Sequence, residues 1–215
     1  MRGAMSKIFL EILDEPRQRV WRDLAIFEKD GYLAGGTALA LQIRHRKSVD
    51  FDVFINKSVS NQFRLKVKKI FGTVTFSVDT SDQITFTTKN GVGITFVWYY
   101  YHLLHPPVST SSLRLASVAD IAADKAHTLG RRAVWRDYVD MFTLMKTGVI
   151  TLSSIMASAK QKFAGNFVET QFLEQLSYFA DVDVVPIDFI GEAPEPSEIK
   201  SFLGKQVEDY VKQIV

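Results

Sequence analysis

The sequence predicts an α+β protein, with a small mixed sheet flanked by helices followed by a C-terminal helical bundle. Three observations predict it. Strand-like runs are confined to the first hundred residues, with apolar alternation at 49–55 and further short runs at 73–78, 83–88 and 92–99. Beyond residue 113 the apolar spacing changes to three and four. Apolar residues make up 47% and charged residues 23% of the 215, enough for a sizeable globular core.

The elements follow in order. Residues 7–13 read as a short helix. Asp14 before Glu15-Pro16 reads as an N-cap with proline in the first turn, opening a second helix through Phe27. Residues 32–34 read as a short strand broken by Gly35-Gly36, and residues 37–43 as a helix. Residues 49–55 alternate and are rich in Val, Phe and Ile, as a strand should be. Residues 59–71 form an amphipathic helix, with Phe63, Val67 and Ile70 on one side and Arg64, Lys66, Lys68 and Lys69 elsewhere. Strands are expected at 73–78 and 83–88. Asn90-Gly91 is a hairpin turn, and residues 92–99 return as a mostly apolar, central strand.

The loop around His105-Pro106-Pro107 and the following serines marks a boundary between residues 1–108 and 109–215. Ser117 with Asp120 resembles a capping box, and Gly130 a helix stop. A helix from Trp135 ends before Gly148, and helices at 152–163, 167–179 and 197–214 complete the bundle, with a loop between the last two.

Composition excludes some chemistry. There is no cysteine, hence no disulfide, thiolate metal site or cysteine nucleophile, which fits a reducing cytoplasm. No apolar run reaches the ~18 residues of a membrane span, and the N-terminal run is too short for a secretory signal. His102, His105 and His127 lack metal-ligand spacing. The net charge of +2 does not argue for a nucleic-acid partner in bulk, so any such contact must come from local patches.

Asp50 and Asp52 stand inside the strand of 49–55. Residues two apart share a strand face, so the acids project together while Val49, Phe51 and Val53 face the other way. Adjacent carboxylates repel. They either face water, as on an ordinary amphipathic edge strand, or share a hard divalent cation such as Mg²⁺. Upstream, Gly35-Gly36 between strand and helix lets backbone approach a ligand, the helix N-terminus offers N–H groups to an anion, and Thr37 adds a hydroxyl.

The pattern of an apolar residue, GGT, thirteen residues from Thr37 to Val49, then DFDV resembles the signature of the DNA polymerase β-like nucleotidyltransferase superfamily. The wording GGTALAL…HRKSVDFDVF is similar to AbiEii-type abortive-infection toxin nucleotidyltransferases, and LRLASVADIAADKAHTLGRRAVWRDYVDMFTL resembles that family's helical motif. The resemblance implies a nucleotidyltransferase fold and Mg²⁺-dependent transfer of a nucleotidyl group from an NTP to an acceptor (tRNA, protein or a small molecule), in a toxin with a cognate antitoxin. By position it implies that Gly35, Gly36 and Thr37 hold the triphosphate and that Asp50 and Asp52 bind the metal. Lys125 and Arg132 would contact phosphate, and Asp137 would serve as a base or orienting group.

Without the family, other readings stand. Lys125 fits a solvated helix face. Arg131, Arg132 and Arg136 either pair with Asp137 and Asp140 or meet phosphates, and the stripe Tyr138, Met141, Phe142, Met145 reads as core. His45, just before the strand and next to Arg46 and Ser48, either orients the acid-bearing strand or serves only structure. The basic residues 64–69 either meet RNA phosphates or are solvated. Many superfamily members carry a third carboxylate on a later strand, and the candidate strand, GVGITFVWYYYH, holds no acid, while Asp79 and Asp82 at the preceding turn are poor substitutes. The alternative to transfer chemistry is a non-catalytic module of the same fold that binds a nucleotide or a partner.

Overall fold

A computed structural model describes residues 8–214, and the side chain of residue 214 is not among them. The expected helix at 7–13 begins outside this range at Lys7, and within it the segment contributes one short 3-10 turn, Leu10–Ile12.

α1 spans Glu15–Leu24 and runs on as a 3-10 turn to Phe27. Asp14 caps it, its carboxylate accepting the Arg17 N–H at 3.0 Å. β1 (Gly31–Ala34) leads directly into α2 (Gly35–Ile43). β2 covers Phe51–Ile55, two residues shorter at its start than the alternation suggested, so Asp50 sits just ahead of the strand. α3 (Asn61–Phe71) is capped by the Ser60 hydroxyl. β3 (Phe76–Asp79), β4 (Gln83–Thr87) and β5 (Gly93–Trp98) complete the sheet. β3 starts three residues later than expected. The β4–β5 turn places Gly91 at a φ of 76°, a left-handed conformation that favours glycine.

The strand order is β1-β2-β5-β4-β3, which puts β5 in the centre. β2 and β5 run parallel and the other neighbours antiparallel, so the sheet is mixed. Phe51, Val53, Ile84, Phe86, Ile94 and Phe96 point to one face and are almost wholly buried. On that face Phe96 meets Phe27 and Phe63 at ring distances of 4.9 and 5.1 Å, and Phe86 meets Phe71 at 5.4 Å. This aromatic core fixes which way β2 faces and therefore sends Asp52 to the opposite side.

The chain divides into a unit ending at Ser117 and a unit beginning at Val118. Residues 109–117 belong with the sheet because Leu115 bridges to both Leu33 and Val108. The second unit is helical: α4 (Val118–Leu129), α5 (Trp135–Lys146), α6 (Leu152–Phe163), α7 (Glu169–Ser177) and α8 (Pro196–Ile214). α4 packs on α6, and α8 packs on α5 and α7. No helix among the described residues is long and apolar enough to cross a membrane.

Candidate functional site

The local geometry of GGT comes from a tight connection. β1 passes into α2 without a loop, which requires Gly35 at a φ of 67°. Ala34 at the N-cap offers no side-chain cap. The first-turn N–H groups of α2 therefore rely on something other than an N-cap side chain, because a helix leaves its first four N–H groups without internal partners. α2 ends at Arg44, also left-handed at a φ of 54°, and the chain turns back past the helix start. Thr37 Oγ1 bonds Ser48 Oγ at 2.8 Å and also the Asp50 carbonyl. Arg17 Nε holds the Val49 carbonyl at 2.9 Å. Thr37 is thus buried and structural as well as polar: it ties the glycine turn to the segment carrying the acids.

Three glycines lie against the charged groups. A Cβ on Gly35 would stand 2.7 Å from Asp52 Oδ2, and one on Gly93 would stand 2.5 Å from Asp50 Oδ1. A Cβ on Gly36 would stand 2.7 Å from Arg46 Nη2 and 3.3 Å from Ser48 Oγ. Glycine makes room for each group. The register agrees, with Asp52 opposite Ala34 on β1 and Thr95 on β5, and Phe51 opposite Ile94, which brings Asp50 beside Gly93. Gly93 and Arg46 had no assigned part in the sequence reading. Glycine inside the apolar run GVGITF was the available signal, since an isolated glycine in a strand marks close approach. Arg46 is buried at 4% exposure, a rare environment for a guanidinium, and His45 beside it is buried too.

β5 is the strand where a third carboxylate was sought. It lies beside β2, and the residue paired with Asp52 is Thr95. Asp79 sits at the far edge on β3, where Arg64 holds it at 2.7 Å. Lys66 of the same basic helix pairs with Asp30 at 2.6 Å. Two of the four basic residues in 64–69 are therefore held in ion pairs within the chain, and Lys68 lies over the Phe76 ring at 5.3 Å.

In the helical unit, Lys125 is buried and not on a solvated face. Its Nζ lies 2.6 Å from Asp137 Oδ1 and 2.6 Å from Asp140 Oδ2. Burial pulls its pKa down, but the two carboxylates outweigh this and hold it above the ordinary lysine value. Asp140 thus meets Lys125 across the helices. Arg132 is exposed and reaches Asp137 Oδ2 only at 4.0 Å, and that buried oxygen has no hydrogen-bond partner. Arg131 donates to the Asn166 carbonyl, and Arg136 is exposed. Lys162 forms a parallel arrangement with Asp124 at 2.7 Å and Asp120 at 3.3 Å.

Residues 19–102, which include the glycine turn and both acids, match the family described as "Nucleotidyl transferase AbiEii toxin, Type IV TA system". Over that stretch the chain is similar to the AbiEii nucleotidyltransferase family. The match covers most of the sheet unit and stops before the helical one. Over 194 residues the chain is 29% identical to an uncharacterized protein of Aquifex aeolicus (strain VF5), spanning 85% of this chain and 89% of that protein. Its fold is similar to MenT4, a nucleotidyltransferase toxin from Mycobacterium tuberculosis H37Rv, with a TM-score of 0.60 at 14% identity, covering 89% of this chain and 80% of that one. It is also similar to JHP933 from Helicobacter pylori, with a TM-score of 0.59 at 17% identity over 94% of each chain. At these identities the structures show a shared fold. The α+β nucleotidyltransferase architecture expected from the AbiEii wording is therefore the one observed.

Proposed function

We propose that this AbiEii-type nucleotidyltransferase binds an NTP with Mg²⁺ at the glycine turn and the paired aspartates, and transfers the nucleotidyl group to an acceptor. The observation that carries the reading is that Gly35 and Gly93 are shaped around the carboxylates of Asp52 and Asp50.

Two carboxylates at the mouth of an uncapped helix form a hard-oxygen donor set that suits Mg²⁺, an ion that usually keeps phosphate oxygens and water in its shell. The residues fit the ion, and Asp50 and Asp52 would hold it. When bound, Mg²⁺ supplies charge compensation on the NTP phosphates. The chain's own residues do the rest. The N–H groups at the start of α2, opened by Gly35 and Gly36, point at an anion in the direction favoured by the helix dipole. Thr37, through Ser48 and the Asp50 carbonyl, fixes the distance between that anion site and the acids. Arg46 stands against Gly36 and adds positive charge there. Catalysis of this kind is mostly positioning and electrostatic stabilisation, which a rigid turn locked to a strand supplies.

For Lys125, Arg132 and Asp137 the reading assigns charge compensation to the two cations and proton acceptance to the aspartate. Its support is a buried carboxylate oxygen on Asp137 that no hydrogen bond satisfies. The acceptor is RNA such as tRNA, a protein or a small hydroxylated molecule. A cognate antitoxin is the partner in keeping with the toxin family.

Thermal melting tests the binding half. At a hundredfold Kd a ligand adds about 2.7 kcal/mol, a rise of roughly 5–10 °C for a chain of this size. The rise should need NTP and Mg²⁺ together and should vanish in Asp50→Ala. Stabilisation that survives loss of the acid would contradict the metal assignment and favour a binding module without chemistry.

A further inference from the structure

The sheet face that bears the acids continues beyond them. Phe54 follows Asp52 on the same face, roughly 7 Å along the strand. The register extends the row sideways: Tyr32 lies opposite Phe54 on β1, as Ala34 lies opposite Asp52. On β5, Val97 pairs with Phe54 as Thr95 pairs with Asp52, and Tyr99 comes two residues after Val97. The rings touch. Phe54 and Tyr99 have centroids 4.2 Å apart, Tyr32 meets Phe54 edge-on at 5.9 Å, and Tyr101 meets Tyr99 at 5.5 Å. None of these rings joins the phenylalanine core, which occupies the other face, and Phe54, Tyr99 and Tyr101 remain partly open.

Arg114 is an independent observation. Its segment runs parallel to β1, with Leu33 paired to Leu115 and the Leu33 N–H donating to the Arg114 carbonyl. Leu113 and Leu115 go to the core, so alternation places Arg114 on the face of Tyr32 and the acids. Its Nε is shielded from water and has no hydrogen-bond partner. A buried donor left unmade costs about 1–3 kcal/mol, so a ligand that supplies an acceptor there recovers a real deficit.

The geometry points to a nucleobase subsite on this face, with Phe54 and Tyr99 as the stacking surface and Arg114 as a donor to an acceptor atom of the base. The inference rests on Asp50 and Asp52 being the phosphate end of a nucleotide site, because a base tethered through ribose to a phosphate there is carried along the strand towards Phe54. The base belongs to the donor NTP or to a nucleic-acid acceptor, and both present the same π-face.

The test is calorimetric binding, with Mg²⁺, of each NTP, of inorganic tripolyphosphate and of short single-stranded RNA oligonucleotides. Wild type is compared with Phe54→Leu, which keeps apolar volume in the sheet, and with Arg114→Gln. Stacking is worth about 1–3 kcal/mol per base, so about a tenfold loss is expected in Phe54→Leu and a smaller loss in Arg114→Gln. A loss for NTP with tripolyphosphate unchanged assigns the base to the donor. A loss for RNA with NTP unchanged assigns it to the acceptor. Equal losses for NTP and tripolyphosphate would show general damage and overturn the subsite, as would unchanged binding of every ligand. A wild type that binds NTP no better than tripolyphosphate, and binds no RNA, would also overturn it. Base-dependent binding in a protein that transfers nothing would leave the subsite standing and remove the transfer reading instead.

Discussion

At the residue scale, the site depends on what three glycines leave empty. Alanine at Gly35 adds strain at a φ of 67° and drives a methyl against Asp52 Oδ2. Alanine at Gly93 keeps an ordinary backbone angle but drives its methyl against Asp50 Oδ1. Gly93→Ala is therefore the cleaner probe. Calorimetry should show NTP binding in Mg²⁺ weakened at least tenfold, while far-UV circular dichroism stays unchanged. Unaltered binding would mean that Asp50 moves aside without cost and that the close approach has no function. Lys125 behaves differently. It compensates two buried carboxylates, and removing one partner of such a group leaves uncompensated charge, at about 3–5 kcal/mol. Lys125→Ala should lower the unfolding free energy measured by chemical denaturation by that amount, so its loss of activity has to be read beside its stability. A variant of full stability would show that Asp137 and Asp140 are relieved in some other way.

At the element scale, the start of β2 is set by tertiary bonds more than by its own alternation. Val49 and Asp50 have strand-like residues around them, yet Arg17 holds the Val49 carbonyl and Thr37 holds that of Asp50, so the ladder begins at Phe51. β3 likewise begins late, at Phe76, and carries a register shift before Val78. The first helix start was easier to read, because Asp14 announces its cap chemically, whereas Ser60, expected inside the helix of 59–71, turned out to be its cap. α4 was the element least legible from sequence. Its lysine looked solvated by periodicity, and only the partner helix, bringing Asp137 and Asp140, makes a buried position tolerable. α4 also gives a pH dependence. His127 stacks on Phe163 at 4.0 Å. Burial first, and then the charge of Arg131, hold its pKa below 6.5. A proton then binds the unfolded chain more readily than the folded one. This contribution is complete above pH 6.5 and is lost as the pH falls from there towards the folded value. Denaturation midpoints measured between pH 7 and pH 5 should fall less steeply in His127→Gln than in wild type, and equal slopes would contradict the assignment.

For the whole molecule, the sequence carried the α+β class, the order of the elements and the AbiEii resemblance, since alternation, glycine punctuation and helical spacing are local properties. It did not carry the parts made by distant segments meeting. Gly93 and Arg46 enter the site only because β5 lies beside β2 and the chain doubles back after α2, and Arg114 takes its face only because residues 113–115 pair with β1. The small net charge of +2 and the internal pairing of Arg64 and Lys66 leave bulk electrostatics a small part in attracting a charged partner. Support of nucleotidyl transfer by Asp50 and Asp52 is read by a label-transfer assay. The purified protein is incubated with Mg²⁺, each α-labelled NTP in turn, and total tRNA or cell extract, beside an Asp50→Ala/Asp52→Ala control. Label is expected in one acceptor class with wild type, and none with the control or with chelator. Measurable NTP binding with no transfer from any donor, or equal transfer by the control, would contradict that expectation.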